Sequence, residues 1–473
     1  MDNVVAADYP EWFLPALEGQ EPNVGDLLKA ITAGTGTDSS AFTGGRALIP
    51  ESLEQTLLDT LWGEKHIKLF KALKKSAVRA TVDEFDIRTE YGSEWGVAVG
   101  ETANPSLVDP TIRRETALVK YYRDRREVSH VATVVRMIED PMTVQEVSGT
   151  RRILGRLEQD LFTGDDTVFP NRITGLLPIT VAEGGELVSD AHGTAVNTQD
   201  RFQELAGVVY DEGGTLTDVY HSSMCQADID AALEVNQRIV IPVQGTDGRI
   251  RVGASQRALA TVHGDVNFEP DRFIRCGWRM SAPDVSAGPD APGVPTVNAL
   301  TGNAGAIHDA ANLPPGDYFV RVSNINETGE SAASVAQAVT LVAGARILIN
   351  ITSGDADTTG YRVYLSEVDA ADATDCRFHA DFAITDGVGD ELTVDGHWVT
   401  GTTTMHLISG EAADMAIDWR QLLPMTKLDL AITGPVIPFL LNLYGYLRVP
   451  KPNWHAAIIN VLPSNVAGWA PVG

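Results

Sequence analysis

The segment from Ser76 to Val135 limits the fold more than any other. In "SAVRATVDEFDIRTE", Val78, Ala80 and Val82 alternate with polar residues, the phase slips at Asp83 and Glu84 as a bulge requires, and Phe85 and Ile87 continue it. The return arm, Ile112 to Val135, is long, polar and rich in Arg, and "GETANPSLVDPT" between the arms has the Gly, Asn and Pro of a loop tip. This pattern predicts a two-stranded ribbon over residues 77–135. Two strands alone are marginally stable at best in water, so the ribbon must lie on another surface.

Charge sharpens the point. The 473 residues carry 64 acidic and 36 basic side chains, a formal charge of -28. Residues 71–156 hold 15 basic against 13 acidic side chains and are the one large region that is not acidic. Arg113, Arg114, Arg123, Arg125 and Arg126 cluster on the return arm, which suits docking on the acidic face of another copy; the plain alternative is a solvated hairpin face. Elsewhere the acidic surface repels a duplex or an anionic bilayer, which excludes DNA binding through a broad basic face. The excess of Arg (27) over Lys (9) suits a salt-rich setting and a GC-rich genome equally.

Around the ribbon the chain divides into parts. Residues 1–50 mix Gly, Thr, Ser and Pro and predict an extended arm; "ESLEQTLLDTLW" and "HIKLFKALKK" then predict two short helices. Asp140 before Pro141 is a helix start, and "PMTVQEVSGTRRILGRLEQDLF" places Val144, Val147, Leu154, Leu157 and Leu161 at helical spacing up to Gly164. An α+β stretch follows: "RFQELAGVVYDEG" and "SMCQADIDAALEV" as helices, "QRIVIP" and "RALATVHGDVNF" as strands. From Asp284 to Thr400 only short alternating strands and Gly, Asp and Asn turns occur, with 17 acidic side chains against 4 Arg. That pattern predicts a β-sandwich, and since α+β sequence resumes after it, an insertion. Near the end, Phe439, Leu441 and Leu443 share one face of a strand, and Trp454 to Val461 begins another after Pro450 and Pro452.

Catalytic motifs are missing: there is no GxxxxGK[ST], HExxH, GxSxG or CxxC, and the ten His are dispersed. No enzyme, cofactor or metal site is expected. Asp355 and Asp357 in "SGDADTTG" fit a solvated turn better than a calcium loop, and Cys225, Cys276 and Cys376 read as reduced, buried thiols. No run reaches about 18 apolar residues, and "MDNVVAADYPEWFLPAL" lacks the basic start of a secretory signal, so a cytoplasmic protein is expected.

Taken in order, the N-terminal arm, helix pair, β-ribbon, helix 141–163, α+β middle and closing strands resemble the HK97-fold major capsid proteins of tailed phages and tailed archaeal viruses. "RLEQDLFTGDD" with "ITGLLPI", and the segment 409–461, are similar to that family's passage out of its spine helix and to its closing segment. The resemblance implies an α+β HK97-like fold: an arm at 1–50; a first capsid part at 51–283 with extended loop 77–135, spine helix 141–163 and A-domain 200–283; and a second part at 401–473 that closes the P-domain.

Within that frame Val147, Leu154, Leu157 and Leu161 would form the spine-helix core, Phe439, Leu441, Leu443 and Trp454 would lie on the P-domain's closing strands, and the five arginines would meet a neighbour. The segment 284–400 resembles a fibronectin type III or immunoglobulin-like domain, with Tyr318, Tyr361 and Tyr364 as core aromatics, and implies an exterior decoration. The implied function is a shell subunit. It would form capsid hexamers and pentamers around double-stranded DNA without reading its sequence, helped by a separate scaffolding protein, a portal and in some systems a decoration protein. It would be assembled in the host cytoplasm, with no membrane partner. The alternatives are an encapsulin-like compartment and a surface adhesin with a glycan-binding sandwich.

Overall fold

The computed structural model describes residues 63–472 except 93–96, 106, 136–139, 197, 237–242, 245–249, 252–256, 289, 302–308, 354, 386–388, 411–415, 433 and 467. The N-terminal arm, the helix expected at 51–62 and the strand "QRIVIP" lie outside the described residues.

The ribbon forms, but it is shorter than the alternation suggests. Val82–Glu90 pairs antiparallel with Thr111–Leu118, and the register slips between Arg88 and Glu90 rather than at Asp83 and Glu84. At Val119, which is buried, the return arm leaves the ribbon. Lys120–Ser129 joins a four-stranded sheet in the order Lys75–Ala77, Asp418–Asp429, Val436–Arg448, Lys120–Ser129, in which only the first pair is parallel. The sequence of this strand explains the departure. Asp124 and Val128 are buried within it, whereas no residue of the two ribbon strands is fully buried.

The spine helix, Pro141–Thr163, covers this sheet. Asp140 caps it by accepting the N–H groups of Met142 and Thr143 at 3.3 Å, as the Asp-Pro start predicts. Its buried face differs from the expected one. Gly149, Ile153, Leu157 and Leu161 make the buried row, each four residues from the last, while Val147 is 40% exposed and Leu154 is half-buried. At 100° per residue Val147 lies on the far side of the helix from Gly149, and Leu154 a quarter-turn beyond Ile153. Glycine sets the face, because a Cβ at Gly149 would stand 2.5 Å from Leu441 Cδ1. Leu157, Leu161, Phe162, Phe439, Leu441 and Leu443 then share one core.

The two closing strands do not pair with each other. Val436–Arg448 belongs to the four-stranded sheet, but Ala456–Val461 lies in a six-stranded sheet in the order Val188–Asp190, Ala456–Val461, Thr403–Ile408, Asp218–His221, Gly264–Pro270, Ala258–Thr261. Trp454 is on neither strand. It ends a 3-10 turn, Pro452–Trp454, and its indole donates to the Glu212 carbonyl at 3.0 Å. The two prolines that end the first ladder therefore carry the chain from one core into another. Helices Asp200–Asp211 and Cys225–Asn236 accompany the six-stranded sheet, whose core holds Phe202, Val209, Phe268, Leu407 and Ile458.

Between Gly264–Pro270 and Thr403–Ile408, neighbours of Asp218–His221 in that sheet, the chain makes a two-sheet antiparallel sandwich. One sheet runs Thr296–Thr301, Ile347–Ser353, Glu391–Val394; the other runs Gln337–Leu341, Gly316–Ile325, Gly360–Leu365, Arg377–Ala383. Val320, Val322, Ile349, Tyr318 and Tyr361 fill the space between them. Tyr364 faces the other way. It packs with Ala282, Cys376 and Phe378 on the outside of the second sheet, against the stem that enters the sandwich. Entry and exit are stitched together where the Gly277 N–H donates to the Thr402 carbonyl at 2.9 Å.

Candidate functional site

Asp83 fixes the base of the ribbon. Its carboxylate accepts Tyr446 Oη at 2.5 Å and Arg420 Nε at 3.0 Å, beside a small core of Val78, Val119 and Tyr446. Burial works against the Asp83 charge, but the bonds from Tyr446 and Arg420 outweigh it and hold the carboxyl below its ordinary pKa. Away from this anchor two large apolar side chains are open to solvent: Tyr91, with Arg88 over its ring, is 90% and Leu107 95% exposed. Sequence reasoning missed these two residues because they fall in a stretch with the Gly and Pro of a loop, where an apolar residue carries no periodic signal.

The five arginines do not form one patch. Arg113 and Arg114 are on the ribbon; Arg123, Arg125 and Arg126 are on the sheet strand Lys120–Ser129. Arg114 pairs across the ribbon with Asp86 at 2.9 Å and Glu84 at 3.4 Å, and Arg113 pairs along its own strand with Glu115 at 2.6 Å. The period of two in a strand then divides the remaining three. Arg126 and Asp124 stand opposite Phe439 and Leu441 and so face the spine helix, where Asp124 takes Arg126 at 2.7 Å and Arg152 at 2.9 Å and Arg126 reaches Gln145. Arg123 and Arg125 face away. Arg123 donates to Tyr444 Oη at 2.9 Å and lies over the rings of Tyr121 and Tyr444, while Arg125 is exposed beside Glu127. The expectation of one basic docking face is thus corrected: Arg126 serves the subunit's interior.

A buried carboxyl pair, invisible in the pattern, ties three parts together. Glu158 of the spine helix is fully buried and accepts the N–H groups of Lys68, Leu69 and Phe70 at 2.8, 2.6 and 3.0 Å. Asp271, just past the strand Gly264–Pro270, is also buried; one oxygen accepts the Phe273 N–H and the other has no donor. Burial, then the charge of Asp271, pushes the Glu158 carboxyl far up, and burial raises Asp271 as well. A proton held on Glu158 relieves the repulsion between the two.

The other polar groups hold the fold together. Asp190, His192 and Asp309 come within metal-ligand reach of one another. Asp190, however, already accepts the side-chain amides of Asn312 at 2.7 Å and Asn460 at 2.9 Å, so the group clasps the sandwich to the six-stranded sheet. Asp355 caps the Gly293 N–H, as a turn carboxylate does. Lys120 donates to the Pro170 carbonyl of its own chain at 2.6 Å. Burial raises the pKa of all three cysteine thiols, Cys376 to about 11, which favours the protonated thiol near neutral pH.

No family profile matches the chain. A protein of Enterococcus phage phiEF24C described as a major capsid protein is 24% identical over 92% of this chain and 94% of its own length. The major capsid protein of Staphylococcus phage K is 22% identical over 92% of this chain and 95% of its own. Among solved structures, a chain of Mycobacterium phage Adephagia aligns over 88% of this chain and 97% of its own at 9% identity and TM-score 0.45. The capsid of a native GTA particle aligns over 90% and 99% at 12% identity and TM-score 0.45. The chain is thus similar over nearly its full length to the major capsid proteins of phages, and its ribbon, long helix and sheets follow one another in the order that the resemblance implies.

Proposed function

We propose that the chain is the structural subunit of an icosahedral viral shell, assembling as hexamers and pentamers around double-stranded DNA. The near-complete alignment with phage major capsid proteins carries this reading. The ribbon supports it: anchored at Asp83 and apolar at Tyr91 and Leu107, it offers a neighbour the contact that a two-stranded element needs. Structural work of this kind requires no catalytic residue, and the charge of -28 keeps the subunit from adhering to packed DNA. A separate scaffolding protein, a portal and assembly in the host cytoplasm complete the proposal, with the acidic sandwich on the shell's exterior.

An encapsulin-like compartment would use the same fold, but the curated relatives that align end to end are phage proteins, which favours the viral shell. The test is electron microscopy of the purified protein, expressed alone and with a scaffolding protein from the same genome. Closed shells are expected. A protein that stays monomeric at every salt concentration in both preparations overturns the proposal.

A further inference from the structure

A cavity of about 360 Å³ lies between the sandwich and the loop and helix that follow the spine helix. Leu177 and Val181, from the helix Leu176–Glu183, form an aliphatic wall, and Phe169, Phe378 and Trp398 supply aromatic faces. Volume, apolar lining and position between two cores are those of a small-molecule site.

Its polar side sets two arginines beside two carboxylates that are already engaged: Asp165 accepts the N–H and the hydroxyl of Thr167, and Asp381 is taken by arginines. Arg172 and Arg275 both line the cavity. Arg275 shares the single carboxylate of Asp381 with Arg362, at 3.2 and 2.6 Å, and its buried Nε–H has no acceptor. Arg362 also takes Glu330. Burial works against the Asp381 charge, yet Arg362 and Arg275 hold its pKa at about 2, so this carboxylate is fully engaged. Arg172 has no carboxylate within 4.0 Å among the described residues; its guanidinium lies on the Phe169 ring, 3.3 Å from the centroid. Burial, followed by the like charge of Arg156, lowers the Arg172 pKa to about 10. Asp160 and Asp381 act on Arg172 only from a distance, and a half-buried guanidinium with no carboxylate in contact is costly, while its paired donors match carboxylate and phosphate oxygens.

We propose that this cavity binds a small anionic amphiphile, a carboxylate or phosphate monoester on a compact aliphatic or aromatic body. Its head would pair with Arg172 and Arg275, and its body would lie on Leu177, Val181 and Trp398. The bound molecule would bridge the sandwich and the helical layer and tighten their contact.

The experiment is calorimetric titration of the full-length, unassembled protein with octanoate, octyl phosphate and octylammonium, each below its micellar range, with melting temperature as a second readout. Saturable binding of one anion per chain, with a raised melting temperature and no binding of octylammonium, is expected. Binding of octanoate alone assigns a carboxylate head, and of octyl phosphate alone a phosphate head; either supports the proposal. Arg172→Met, which keeps the aliphatic stem, should weaken the anion at least tenfold. Val181→Trp, which fills the apolar end, should abolish binding even if the first variant does not fold. Absence of saturable anion binding, equal binding of octylammonium, or unchanged binding by Arg172→Met overturns the proposal.

Discussion

Gly149 of the spine helix meets Leu441 of the sheet so closely that a Cβ on the glycine would sit 2.5 Å from Leu441 Cδ1 and 3.1 Å from Asp124 Oδ2. The two neighbours differ in how far they can yield. Leu441 Cδ1 is the end of a flexible side chain, but Asp124 is held by Arg126 and Arg152. Gly149→Ala therefore combines a helix-propensity gain of about 1 kcal/mol with a partial clash, and should be close to neutral. Gly149→Leu leaves no such escape and should cost about 1–3 kcal/mol through overpacking. Urea unfolding of the unassembled subunit measures both, and equal stability of the Leu variant and the parent would mean that helix and sheet are not in contact at this point.

Arg126 and Arg125 are neighbours in sequence with opposite surroundings. Arg126→Glu places a carboxylate against buried Asp124 beneath the helix and should destabilise the subunit by about 3–5 kcal/mol. Arg125→Glu changes an exposed side chain and should leave stability within about 0.5 kcal/mol. If Arg125 meets a neighbour in the shell, its variant folds normally and assembles poorly. Unfolding curves and light scattering on the same preparations separate the two outcomes.

Leu107 is 95% exposed, so Leu107→Asp removes no contact within the subunit. Its melting temperature should match that of the parent, while the yield of shells counted by electron microscopy should fall at least tenfold. Normal shells from Leu107→Asp would show that the ribbon's apolar end stays in solvent after assembly.

The ribbon and the spine helix were legible in sequence because their signals are local. Phe85 and Ile87 keep a strand's period, and Asp140 and Pro141 mark a helix start wherever they occur. What escaped was set by distant partners. Gly149 reads as a blank in a hydrophobic pattern, yet it decides which face of the helix is buried, so Val147 and Leu154 were assigned in place of Ile153. Glu158 reads as solvent-facing until the backbone of Lys68 to Phe70, about 90 residues earlier, arrives to bind it. Residues 439–461 read as one unit because nothing local reveals that Leu441 pairs with Asp124 while Ala457 pairs with His406. The sandwich was legible from the alternation of its strands, but most of those strands pair with non-consecutive partners, and Tyr364, expected in its core, packs on its outer face.

Stability should pass through a maximum near neutral pH. Burial lowers the pKa of His379 and His455 to about 4 and of His406 to about 3, and it lowers His221 as well. These side chains are neutral in the folded protein, whereas the unfolded chain binds protons below about pH 6.5, so each removes up to about 1.4 kcal/mol per pH unit on acidification. Glu158 has the opposite sign. Folding keeps its proton up to about pH 8, where the unfolded chain has long lost it, so stability declines as pH rises toward that value. Below pH 6.5 the four histidines outweigh the carboxyl pair; above it Glu158 acts alone. Asp271→Asn removes the like charge facing Glu158 but leaves its burial, so the alkaline limb in denaturant titrations from pH 6.5 to 8.5 should become shallower without disappearing. An alkaline limb as steep as the parent's would show that the Asp271 charge does not contribute to it.

The sandwich is docked rather than suspended, and this bears on its removal. Val168 and Phe169, in the loop after the spine helix, are buried against Ile325 and Ala383 of the sandwich, and Asn312 reaches Asp190 in the six-stranded sheet. Deleting 284–400 and joining the flanks with a short Gly-Ser linker would expose both apolar side chains, a loss of roughly 3–6 kcal/mol at about 1.5–3 kcal/mol each. The truncated subunit should melt earlier, bind a hydrophobic dye and aggregate. Adding Val168→Thr and Phe169→Ser should restore solubility without restoring the melting temperature, because the uncovered surface becomes polar while the lost contacts stay lost. A truncated chain that melts with the parent and assembles into shells would instead show that the sandwich rests on its host without stabilising it.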